Sequence, residues 1–170
     1  MQAPSPRENK TMIRVSTRGR YALRATVDLA MHAGEGPVAR QDIADRQDIS
    51  ADYVAQLFRT LHEAGLVEGV KGPGGGYRLA RDPALITALD VVQAVEGPIA
   101  VVHCIDPEND DPCNRVDRCV TRLLWARLSA AMVELLGSVT LQSLCHEARQ
   151  LGLPSPLDRG RGIGGEPLCT

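Results

Sequence analysis

Apolar residues fall at helical spacing soon after the N-terminus. Tyr21, Ala25 and Leu29, flanked by Leu23, Val27 and Ala30, predict a helix from Ser16 or Thr17 to about Ala33. Gly34 and Gly36-Pro37 end it. A short helix is predicted over residues 41–47, burying Ile43 and Ala44, and Asp48-Ile49 forms a tight turn. Ser50 suits an N-cap because its hydroxyl can accept an otherwise unsatisfied N–H of the first turn. Asp52 adds favourable charge near that helix N-terminus. Val54, Leu57, Phe58 and Leu61 then fall at i, i+3, i+4 and i+7, predicting a third helix that stops at Gly65.

The period then changes. Residues 66–71 and 77–80 read as strands joined by Gly72-Pro73-Gly74-Gly75-Gly76, a β-hairpin. Thr87 and Asp90 resemble a capping box for a short helix ending at Gly97. A polar, acidic loop follows the linker at 98–102. Val120, Leu124, Leu128, Ala131 and Leu135, with Leu123, Ala130 and Met132 beside them, mark a long helix with two apolar faces. One face can cover the chain's own domain and the other can meet a second copy across a two-fold axis. The expected organisation is a disordered leader (1–12), a winged helix-turn-helix domain (13–82), a short helix and linker (83–103), a cysteine loop (104–119), a dimerisation helix with its following segment (120–148), and a disordered tail rich in Gly and Pro (149–170). The fold class is mainly α.

Composition narrows the function. Of 170 residues, 44 % are hydrophobic and 24 % charged, a globular profile. The net charge of −2 does not itself signal nucleic acid, so local charge has to. Aromatics, at 3 %, are too few for a large single-strand stacking surface. No apolar run approaches the ~18 residues of a membrane span, and the N-terminus has no secretory pattern. A cytoplasmic location is expected. Neither paired carboxylates, a Cys–His dyad nor a phosphate loop points to an enzyme.

Three helices followed by a hairpin form the winged-helix arrangement, whose recognition helix reads base edges in the major groove. The third helix offers Ser50, Asp52, Tyr53 and Gln56 in its N-terminal half. Gln can pair bidentately with adenine, and Asp can accept from cytosine. Arg59, one turn further on, suits a phosphate. Lys71, beside Gly72, Pro73 and Gly74 at the hairpin tip, suits a narrow minor groove. Arg18 and Arg20 open the first helix among other arginines and can meet phosphates or solvent.

There are five cysteines, an odd number. Three of them, Cys104, Cys113 and Cys119, form C-x8-C-x5-C. Thiolates are the standard ligands of iron–sulfur clusters, so a cluster site is one reading. Zinc, a thiol switch and three unrelated thiols are the other readings. Cys145 and Cys169 read as bystanders. His32, His62 and His146 are weak signals, His62 being a surface residue beyond the base-reading turn.

The stretches at 16–23, 49–58 and 71–79 resemble the opening, recognition helix and wing of the Rrf-two family of bacterial transcriptional regulators, and the similarity runs from about Ile13 to about Ala148. The resemblance implies a homodimer on a palindrome-like double-stranded DNA operator. It also implies an iron–sulfur cluster, 2Fe–2S or 4Fe–4S, on Cys104, Cys113 and Cys119, because cluster-binding members place three cysteines in this loop. Two departures matter. One type has a histidine three residues after the last cysteine, where this chain has Arg122. Another uses an aspartate of the partner's first helix, where this chain has Arg20. His103, Asp106 and Asp117 are the local candidates for a fourth ligand.

Overall fold

The computed structural model describes residues 15–32, 34, 36–109 and 113–152. These form six α-helices and one two-stranded antiparallel sheet: α1 (Thr17–His32), α2 (Arg40–Gln47), α3 (Ala51–Glu63), β1 (Val67–Val70), β2 (Gly76–Leu79), α4 (Ala88–Glu96), α5 (Val120–Ser138) and α6 (Leu141–Gln150). The expected leader, and the expected tail from residue 153 onward, lie outside the described residues. Residues 149–150, assigned to the tail from sequence, continue α6.

The helix-turn-helix follows its local signals. Asp48 takes the left-handed conformation that ends α2 (φ 54°). Ser50 Oγ accepts the Tyr53 N–H at 3.1 Å. Such a cap contributes about 1 kcal/mol. Val54, Leu57, Phe58 and Leu61 are the buried face of α3, as their spacing predicts. The Thr87–Asp90 capping box is complete in both directions.

The sheet pairs Val67 with Leu79 through Val70 with Gly76. Val38, just before α2, adds a bridge unseen in the sequence: its N–H donates to the Tyr77 carbonyl and its carbonyl accepts the Tyr77 N–H, both at 2.8 Å. This explains much of the glycine run. A Cβ on Gly76 would lie 2.1 Å from the Val38 carbonyl oxygen, and one on Gly75 would lie 2.3 Å from that of Val70. Gly72 and Gly74 have positive φ. The chain's own backbone therefore requires these glycines, whatever approaches the wing from outside.

One apolar core crosses the domain boundary expected at residue 82. Ile86, Val91 and Val95, then Leu141 and Cys145 of α6, join α1–α3 residues in it. Helix α6 is pinned to the start of α4 by main-chain bonds from Ala88 to Val139 and from Leu141 to Ile86. Helix α5 covers this core only in part. Ser129 is its one buried residue, while Val120, Leu123, Leu124 and Leu135 are exposed by 57–78 %.

A buried polar lock joins α1 to α2. Asp28 accepts from Arg46 Nε at 2.9 and 3.0 Å and from Gln47 Nε2 at 3.0 Å. The Asp28 and Arg46 side chains are only 2 % and 6 % exposed. Removing one member of such a pair strands the other charge, at a cost of about 3–5 kcal/mol. Asp28→Ala is expected to lose that much stability in urea unfolding. A loss below about 1 kcal/mol, the scale of an exposed pair, would mean that the lock is solvated.

Candidate nucleic-acid interface and cysteine site

Asp52, Gln56 and Arg59 share the exposed face of α3. Ser50 is exposed, with its oxygen engaged in the cap. Tyr53 is half-buried and meets Tyr21 edge-on, with ring centroids 6.1 Å apart, so much of its surface fixes α3 to α1. Arg24 lies over the Tyr21 ring at 5.0 Å and also bonds Gln47. Arg18 and Arg20 are exposed at the start of α1. Arg18 donates to Thr60 Oγ1 on α3 at 3.0 Å, and Arg20 to Thr17 at 3.3 Å. Lys71, Gly72, Pro73 and Gly74 form the exposed wing tip.

An open groove of about 520 Å³ separates α3 from the wing. Arg40 and His62 line it together with Arg59 and Lys71. Sequence reasoning missed Arg40 and set His62 aside. The Val38 bridge that places Arg40 beside the wing is a single residue pair, with no periodicity to announce it.

The cysteines occupy short turns around the foot of α5. Cys104 lies in a 3-10 turn, His103–Ile105, and Cys119 is the N-cap of α5. The Cys113 carbonyl accepts from Val116, where a second 3-10 turn begins. All three thiols are half-buried. Arg122 Nε reaches the Cys104 carbonyl at 3.5 Å, a long contact tying that turn to α5. Among the described residues, no three His, Cys, Asp or Glu side chains converge as ligands. Asp110 and Asp111 of this acidic loop lie outside the described residues. Asp106 already accepts the Glu108 N–H at 3.0 Å, while His103 and Asp117 are exposed.

The donor set suits a soft metal centre. The Cys119 thiol is held below its ordinary range, first by a hydrogen bond with Thr121 and then by the Arg122 N–H, with Arg115 adding a smaller attraction. Thr121 Oγ1 lies 3.1 Å from the sulfur. Thiolate is the form that binds metal and attacks electrophiles. Buried Cys145 belongs to the core.

The cysteine turns also approach the helix-turn-helix half through the end of α4. Glu108 rests over Gly97, where a Cβ would lie 3.5 Å from its Oε2. The neighbouring Glu96 accepts from Ser16, whose oxygen in turn accepts the Gly19 N–H that opens α1. Val101 N–H donates to the buried Ser129 on α5 at 3.1 Å.

Because the Cys119 thiol is lowered, thiolate persists to lower pH and is lost only as pH falls through that lowered value. Thr121→Val removes the largest cause. In metal-free protein the pH midpoint of Cys119 alkylation by iodoacetamide is expected to rise, slowing labelling at neutral pH. An unchanged midpoint would remove Thr121 as the cause.

Residues 15–147 match the Rrf2 family, described as "Iron-dependent Transcriptional regulator". The HTH-type transcriptional regulator IscR of Xenorhabdus nematophila is 39 % identical over 160 residues, covering 93 % of this chain and 96 % of the relative. The solved structure of T. potens IscR aligns with a TM-score of 0.67 at 35 % identity, covering 88 % of this chain and 93 % of that one. CymR, the global cysteine regulator of B. subtilis, aligns with a TM-score of 0.66 at 36 % identity, covering 80 % of this chain and 98 % of that one. These named relatives are transcriptional regulators rather than enzymes, and their fold is the winged helix-turn-helix described above. This chain belongs to the Rrf2 family of DNA-binding transcriptional regulators.

Proposed function

We propose that the protein is a cytoplasmic homodimer whose operator affinity is set by an iron–sulfur cluster, 2Fe–2S or 4Fe–4S, held by Cys104, Cys113 and Cys119. The observation that carries this reading is the trio of half-buried thiols around the foot of α5, one of them biased toward thiolate. The likeness to IscR regulators supports it. In this reading α3 enters the major groove with Ser50, Asp52, Tyr53 and Gln56, while Arg59, Arg18 and Arg20 meet phosphates. The wing tip, Lys71 to Gly74, meets the minor groove. The outward stripe of α5, Val120, Leu123, Leu124 and Leu135, is the dimer face, being too large an apolar strip to leave in water.

A bound cluster supplies iron whose ligation responds to redox state, nitric oxide or iron supply. The chain's own residues carry the consequence. Drawing the three sulfurs together requires the turns between 104 and 119 to rearrange. Glu108, Gly97, Glu96 and Ser16 then connect those turns to α1, and Arg18 connects α1 to Thr60 on the recognition helix. A coupling on the order of 1–3 kcal/mol is enough for regulation. The likeness to a cysteine regulator, together with the lowered Cys119 thiol, favours a second reading: a cluster-free sensor of thiol redox state or of a sulfur metabolite.

Visible absorption of protein purified without oxygen, with iron and acid-labile sulfide assayed on the same sample, separates the two. The proposal expects a brown protein with matched iron and sulfide, both lost in Cys113→Ala. A colourless, iron-free protein even after reconstitution would leave the thiol reading.

A further inference from the structure

The groove between α3 and the wing is lined by basic side chains, of which Arg40 and His62 have no role yet. Its sides come from separate elements held in fixed relation. Arg40 opens α2 two residues after Val38, which is bonded twice to Tyr77 of β2. His62 lies in the last turn of α3, where its Nδ1 is 2.9 Å from the carbonyl oxygen of Val67, the first residue of β1. A carbonyl can only accept, so Nδ1 carries the proton and Nε2 is the nitrogen left for a ligand. Arg59 and Lys71 complete the lining.

Duplex geometry says what lies there. A recognition helix in the major groove and a wing in the adjacent minor groove stand on either side of one sugar–phosphate strand. The channel between them faces that strand and carries the opposite charge. We infer that Arg40 and His62, beside Arg59, seat the phosphate strand that separates the two grooves, Arg40 by direct donation and His62 through a bridging water that donates both to Nε2 and to the phosphate. This rests on the DNA-binding mode proposed above and adds two contacts to it. Phosphate contacts position the protein without reading sequence. Arg40 and His62 therefore supply affinity and register, while Gln56 supplies preference.

The test is binding of the full-length dimer to an operator duplex and to an unrelated duplex across a salt series. Each phosphate contact contributes about 0.9 to the slope of log affinity against log salt. Arg40 is exposed, so substitution leaves the core intact. Arg40→Gln is expected to weaken both duplexes equally and to lower the slope by about 0.9. Between 50 and 200 mM salt its affinity should then fall by about 3.5-fold less than that of the wild type, a four-fold salt change to the power 0.9. Arg40→Lys should keep the slope. His62→Gln should weaken both duplexes by one common factor. Gln56→Ala should instead lose operator preference and keep the slope. An unchanged slope in Arg40→Gln, or a loss confined to the operator, would overturn the seat while leaving DNA binding intact. Wild-type protein that ignores both duplexes at low salt would instead overturn the DNA-binding mode itself.

Discussion

Helix α1 approaches α4 closely at Gly19, where any side chain would have to push Glu96 aside. A Cβ there would lie 3.1 Å from the Glu96 carboxylate and 3.4 Å from Val15. The rest of the molecule depends on this approach, because α1 is the wall shared by its two halves. The small side chains Ala22, Ala25 and Ala30 are fully buried with Leu29 between them, and they let neighbouring helices come near. One side of α1 holds the helix-turn-helix, through the Asp28 lock and the Tyr21–Tyr53 contact. The other side holds α4 and α6, from which the cysteine segment departs. The cysteine segment is therefore joined to a packed core rather than to a loose linker.

Much of this was legible in local patterns. The face of α3, the Ser50 cap, the Thr87–Asp90 box and the hairpin each carry their signal within a few residues, and the structure keeps them all. Long-range features were not legible. Helix α6 hides behind a cap in which Ser143 stands where an acid or amide usually signals a box. Asp28 and Arg46, far apart in sequence, look like surface charges until two helices bury them together. The glycine run reads as a hairpin turn, yet two of its members answer to the Val38 and Val70 carbonyls.

The cysteine site divides in the same way. Residue type and placement before a long helix single out the candidate donors. The spacing C-x8-C-x5-C does not say how three turns orient their sulfurs, and Arg122 takes up the Cys104 carbonyl where a further ligand was sought. The route proposed for coupling is likewise invisible in sequence, since Glu108, Gly97, Glu96 and Ser16 come together only through the fold.

Under the proposed function, the state of these cysteines reaches the recognition helix. The most direct measurement is operator affinity of one reconstituted preparation before and after chelation strips its iron, at fixed salt. A difference of at least about five-fold is expected, the lower end of ordinary coupling. Equal affinities, with cluster loss verified by absorbance, would contradict it.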